Sequence, residues 1–400
     1  MWPTLAASLP GLAALGALLF TWVSVGQTGT ELRIAEQGQI TDRFNAAVSH
    51  LGSNSPDMRF GGIYALERIM QDSPRDQARV VSVLSAYVRT HARVPNSGFA
   101  PMAGNEKLSP PADVEAAAEV LASRPPDQDG RAKVDWAHAD LRGMELRADA
   151  TPPQDGPPVR LHLDSARLNQ TDLRKATLAG VALTTASCGG ANLTDAYLLD
   201  VDLKGANMQG ANLTRARLKG TTNLARSYLG DATLVEADLT STDLQHADLR
   251  NAKLADAKLS SADLSGAVLS NADLRNTTLV GTRIIKANLI EAKLAGAHIE
   301  NAKLNTSSLT RADLKGTKLW STDLSGANLS GADLREADLL GTNLTKANLA
   351  NANLSQAFLV DVDFTTATLT GARFDGAILR GTTRFNEATG IPDGVVVETP

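Results

Sequence analysis

Residues 262–274 read ADLSGAVLSNADL and residues 327–339 read ANLSGADLREADL. In both, leucine returns every five residues with a small residue two places before it. Followed outward, the register runs from Leu163 to Leu218 and from Leu224 to Leu379, 44 positions of which 38 are Leu. The other six are Cys188, Met208, Ile284, Ile299, Phe364 and Phe374. Two places earlier the residue is Ala in 30 cases and Ser, Thr or Val in 13, Leu161 being the exception. A period of five suits neither a helix, at about 3.6 residues per turn, nor a flat strand, at about 2. It suits a chain that takes one short extended step and one corner per repeat, four steps closing a square coil of 20 residues. The leucine and the small residue point inward, because only a small side chain fits beside leucine near the axis. Positions −1, +1 and +2 relative to the leucine then face outward, and Asp, Asn, Lys, Arg, Ser and Gly collect there. Glycine at +2 (Gly205, Gly266, Gly326, Gly331, Gly371) suits a corner with positive φ. Asp or Asn fills −1 in 21 of the 44 repeats and is expected as solvated, ladder-forming surface. Coils stacked at strand spacing, ~4.8 Å, give eleven turns and a rod of roughly 50 Å.

Trp136, Leu141 and Leu146 share the spacing, so a first coil starts near Val134 and a Pro-rich loop at 150–158 interrupts it. One extra residue enters at Gly220-Thr221-Thr222-Asn223, and the same string shape recurs at Gly381-Thr382-Thr383-Arg384-Phe385. A simple bulge is the expectation at both. The quoted runs resemble the pentapeptide-repeat proteins, and the resemblance covers about 134–385. It implies a mainly β fold, a right-handed quadrilateral β-helix. The segments QITDRFNAAVSHLG (39–52), GGIYALERIMQDSP (61–74) and VVSVLSAYVR (80–89) resemble the helical leader of actinobacterial membrane-associated members. Those members often carry two membrane helices where one is evident here, which leaves room for a missing N-terminal segment.

Working back toward the N-terminus, no charged side chain precedes Glu31, and residues 5–25 read LAASLPGLAALGALLFTWVSV, long enough to cross a bilayer as a helix. Trp2 and Trp22 stand where interface anchors stand, and no basic n-region or A-x-A site marks a cleaved signal. Arg33 and Arg43 follow the segment and no Lys or Arg precedes it, which places the bulk of the chain on the cytoplasmic side. The expected organisation is a transmembrane anchor over 1–26, a helical neck over 27–94, a linker with one short helix over 95–130, the β-helix over 131–385 and a tail over 386–400. Within the neck, helices are expected at 31–51, 57–70 and 72–92, with Ser73 as an N-cap and Pro74 in the first turn. The linker helix spans 112–122.

A net charge of −5 over 400 residues, a single cysteine and six scattered histidines exclude a basic nucleic-acid binder, a disulfide module and a zinc protein. A leucine-filled interior leaves no cavity, and flat ladders spread groups apart where catalysis needs them to converge. No enzyme, cofactor or metal site is therefore expected. Cys188 is inward and inert, and His246 and His298 project from different faces. Some soluble members of the resembled family protect DNA gyrase by imitating DNA with an acidic rod, which gives an alternative reading as a topoisomerase binder. Residues 160–400, however, hold 26 acidic and 25 basic side chains, too balanced to imitate a polyanion. The favoured reading is a membrane-tethered scaffold that binds a protein partner, with no direct nucleic-acid contact. Residues 20 apart share a face, and one face carries Val280, Glu300, Trp320, Leu340 and Val360 at +1 with Phe358 and Ile378 at −1. Trp320, Leu340, Phe358, Val360 and Ile378 are the candidate partner-binding residues; cover within the chain or a homodimer seam is the competing explanation. Leu264→Asp should unfold neighbouring coils, because it buries an unpaired charge. Circular dichroism and melting should both register the loss, and unchanged curves would mean that position 264 does not point inward.

Overall fold

Each repeat has five backbone N–H groups to satisfy, and their destinations define the architecture of this computed structural model, which describes residues 9–94, 109–148 and 160–392. In the repeat centred on Leu264, the Leu264 and Gly266 amides donate to carbonyls of the next coil (Arg283, 2.7 Å; Ile285, 2.8 Å), while Asp263 donates back to Thr242 at 3.1 Å. The Ala267 amide closes the corner on the Leu264 carbonyl at 3.0 Å, a four-residue turn with Gly266 at φ +69°. The fifth amide, that of Ser265, donates to the Asp263 carboxylate at 2.9 Å. Asp and Asn at −1 are therefore working acceptors as well as the solvated, ladder-forming residues expected there. Asn343 and Asp243 do the same for Thr345 and Gln245. The +2 corner keeps positive φ with Asn271, Lys286, Glu291 and Arg311 as well as glycine, so the turn tolerates side chains that point into solvent.

These bonds stack about 11 turns. Leu and the small −2 residue are buried in coil after coil, as in Leu254, Ala257, Leu259 and Ala262. Thr282, Thr322 and Thr342 take the small position by donating their hydroxyls to the leucine-position carbonyls of the preceding coil at 2.6–3.0 Å. The pairing is parallel throughout the rod. On one side β1 (Glu145–Arg147), β3 (Thr177–Ala179), β5 (Tyr197–Leu199) and β6 (Arg217–Lys219) form a four-stranded sheet. β2 (Leu161–His162) pairs with β4 (Val181–Ala182), and β7 (Phe358–Val360) with β8 (Ile378–Arg380). Partners lie 32 residues apart from the first coil to the second, as Leu146 and Leu178, then 20 apart, as Tyr197 and Arg217, and 21 apart across the inserted residue, as Asp202 and Asn223. The rod continues past the expected limit of 385: Thr368 still bridges Thr389.

Both ends of the rod are plugged by means the repeat does not supply. At the start, α4 (Ala112–Ser123) buries Val114, Ala117, Ala118, Leu121 and Ala122 and packs against β1 and β2. The expected linker helix is thus a cap. The Arg124 side chain, 2 % exposed, donates to Asp129 at 2.9 and 3.1 Å, to the Leu121 carbonyl and to the His162 carbonyl at 2.8 Å. Tyr87 hydrogen-bonds Asp113 from α3 (Gln77–His91). At the far end Phe364 stacks on Phe385 at 4.8 Å, with Phe374 edge-on to both.

The chain divides into compact units at 1–80 and 81–400. In the first, α1 runs unbroken over Leu9–Leu51 and α2 over Pro56–Asp72. A separate anchor ending at 26 and a neck helix starting at 31 were expected. No proline stands between Val25 and Glu31, and the two glycines there weaken a helix by only about 1 kcal/mol each. The anchor expected over 1–26 begins on residues outside the described set, and among the described residues no helix is long and apolar enough to cross a membrane. Gly62 lets α2 approach α1 closely, since a Cβ there would meet the Ala47 carbonyl at 2.7 Å. Ser73 gives its hydroxyl to the Asp76 carboxylate at 2.7 Å and so does not cap the backbone as expected. The 95–108 stretch and the Pro-rich loop at 150–158 lie outside the described residues.

Asp129→Asn leaves the Arg124 guanidinium buried without its counter-charge. The rod should lose about 3 kcal/mol, read as a lower urea midpoint of the full chain, while Arg131→Gln, a neighbouring surface change, should leave the midpoint in place.

Candidate partner-binding face

The side that carries β5 to β8 also carries the candidate residues, in two columns one coil apart. Leu340, Phe358 and Ile378 are 42, 46 and 38 % exposed and adjoin one another at the C-terminal end of the rod, with Val360 half-buried between them. Trp320 departs from the expectation of an open apolar residue. Its ring meets His298 edge-on at 5.6 Å, and the Lys318 ammonium lies 5.2 Å from its centroid. Its indole nitrogen is buried without a hydrogen-bond partner. His298 in turn contacts Glu300 at 3.1 Å. The open apolar area is therefore Leu340, Phe358, Val360 and Ile378, with Trp320 covered at its margin.

Part of this patch has a structural origin that the five-residue pattern conceals. Residues 197–203 read YLLDVDL and 358–364 read FLVDVDF; 217–224 read RLKGTTNL and 378–385 read ILRGTTRF. The two cassettes fold alike. The Asp200 carboxylate accepts from the Thr221 amide and hydroxyl at 2.7 and 2.9 Å, and Asp361 accepts from Thr382 at 2.7 and 3.0 Å. Thr222 and Thr383 return their hydroxyls to the carbonyls of Lys219 and Arg380. In each cassette the aspartate fills the space over a glycine, Gly220 or Gly381, where a Cβ would come within 2.2 Å of a carboxylate oxygen. The flanking aromatic and aliphatic residues suit the extended backbone at that corner. Phe358 and Val360 match Tyr197 and Leu199. Leu340 and Ile378, by contrast, match Ala179 and Arg217, so their apolar character is no requirement of the bulge.

Other faces carry close ion pairs. Arg275 clasps Asp273 with Nε and Nη2 at 2.7 and 2.6 Å, Arg335 clasps Asp333 and Arg250 clasps Asp248 in the same way, each within one repeat. The arginine hydrogen bonds hold all three carboxyls below the ordinary carboxylate range, against partial burial that pushes the other way. The Thr382 amide and hydroxyl hold the Asp361 carboxyl low as well. Cys188 is buried as expected, and burial pushes its thiol up to about 12. His246 stands at a corner of another side. Among the described residues, no group of three or more His, Cys, Asp or Glu could hold a metal ion.

A parallel solenoid with a five-residue step, leucine and alanine inside and aspartate-capped corners outside defines a class of repeat protein. The profile for pentapeptide repeats matches in eight copies between residues 183 and 383. The chain belongs to the pentapeptide-repeat family. Among solved structures it is similar to HetL, a pentapeptide repeat protein involved in heterocyst differentiation regulation in the cyanobacterium Nostoc. The two are 28 % identical over 67 % of this chain and 95 % of that one, with a TM-score of 0.32. A thylakoid-lumen pentapeptide repeat protein of Arabidopsis thaliana is 28 % identical over 25 % of this chain and 69 % of its own, with a TM-score of 0.24. QnrB1, a plasmid-mediated fluoroquinolone resistance protein, is 18 % identical over 46 % of this chain and 89 % of its own, with a TM-score of 0.31. No curated protein sequence matches the chain.

Carboxyls held low in the fold lend stability that is fully present above the ordinary carboxylate pKa and is lost as pH falls through their lower folded values. Arg275→Gln should return the Asp273 carboxyl toward about 3.9, followed by NMR titration of its side-chain carbon, and leave Asp333 and Asp361 where they were.

Proposed function

We propose that the protein is a non-enzymatic scaffold that binds a protein partner through the apolar end of one rod face, tethered to a membrane by its N-terminal segment with the rod on the cytoplasmic side. The observation that carries the binding role is the cluster of Leu340, Phe358 and Ile378, three open apolar side chains gathered at one end of one face, whereas the exposed Tyr228 lies on a different face. Two of the three are apolar without any need of the neighbouring bulge for them. The chargeless 5–25 stretch supports the tether, and Arg33 and Arg43 after it support the orientation. A DNA-imitating role needs a continuous negative field. The in-repeat Asp–Arg pairs at Asp248, Asp273 and Asp333 interrupt that field on two other faces.

The test is recovery of partners with the full chain from solubilised membranes. Leu340→Asp combined with Phe358→Asp should abolish a specific partner with circular dichroism unchanged, while Ser330→Asp on another face should keep it. Loss in both variants or in neither would remove the site from this face.

A further inference from the structure

Resting on the reading of this face as a partner site, the geometry points to its occupant: we infer that the patch receives a short amphipathic helix lying along the rod axis, its N-terminus beside Asp338 and its C-terminus beside Arg380. Three features converge. The coil's backbone N–H and C=O groups are spent along the axis, as with Phe358 to Ala337 and Leu339 to Phe358, so the face offers side chains and no sheet edge to a passing strand. Apolar side chains recur along the axis at about 4.8 Å, close to the helical pitch of about 5.4 Å, so over the two steps from Leu340 to Ile378 the mismatch stays near 1 Å. A helix of about two turns spans them.

The charges at the ends of the patch decide direction. Asp338 lies one coil before Phe358 and Arg380 one coil after Val360. Neither has an ion-pair partner among the described residues; Asp338 accepts only the Leu340 amide, at 3.3 Å. A helix carries partial positive charge at its N-terminus and partial negative charge at its C-terminus, so an anion at one end of the seat and a cation at the other favour a single polarity. A second copy of the chain fits less well. Three coils of a two-column face offer on the order of a few hundred Å², well short of the ~800 Å² per partner typical of a stable dimer.

The probes are two labelled peptides of about three turns with the same leucine stripe, one with lysines at its N-terminal flank and glutamates at its C-terminal flank, the other reversed. By fluorescence anisotropy the full chain should bind the first about tenfold more tightly than the second. Asp338→Arg with Arg380→Asp should invert the preference. Asp338→Asn, which keeps the acceptor for the Leu340 amide, should only diminish it. Equal binding of the two peptides, no binding of either, or a preference that survives the double exchange would overturn the helix assignment. Photo-crosslinking from position 358 in membranes separates the two levels. A heterologous protein captured where neither peptide binds would overturn the helix and keep the face. A crosslink between two copies, or none, with no peptide bound would overturn both.

Discussion

Each side of the coil is five residues long and must be filled from within by two side chains, one branched and one small. That constraint governs the rest of the molecule. Leucine with alanine fills the side, and threonine can replace alanine where its hydroxyl finds a carbonyl, as Thr342 finds that of Leu319. The axial hydrogen bonds then consume three amides per repeat and the corner consumes a fourth. What remains is one amide, and where aspartate or asparagine stands before the leucine, as Asp263 does, its side chain supplies the acceptor. The outward surface therefore owes part of its composition to the backbone.

This division explains what was legible in the sequence. The inward positions obey so narrow a size rule that period, coil length and face assignment follow from leucine and alanine alone. The role of Asp263 and its counterparts was not legible, because a carboxylate facing solvent and one capping an amide two residues on have the same sequence pattern. The caps were hidden for another reason. Arg124, Asp129 and the phenylalanines at 364, 374 and 385 act through side-chain contacts that the five-residue register does not encode. The paired cassettes were visible only to a comparison of the chain with itself across 161 residues, from Asp200 to Asp361.

The same comparison sharpens the candidate face. An apolar residue on a rod can serve the rod, as Phe358 and Val360 do at their corner, or something outside it. Leu340 and Ile378 are separated from the first case by their counterparts Ala179 and Arg217, which build an equivalent corner without them. Trp320 was the most conspicuous letter on that face, yet its neighbours His298 and Lys318 partly cover it. A large aromatic outside a solenoid draws the polar residues of adjacent coils over itself, so size alone is a poor guide to openness.

The destinations of the amides have a consequence for the rod as a whole. In each repeat two axial N–H groups point toward the C-terminus and one toward the N-terminus, as Leu264, Gly266 and Asp263 do. Small dipoles left over from each repeat add along the axis, so the solenoid is electrically polar and its ends differ in kind. Its beginning is rich in carbonyls, and there a guanidinium, Arg124, donates to the His162 carbonyl. Its end is rich in donors, so whatever prolongs the ladder there has to arrive carbonyl first.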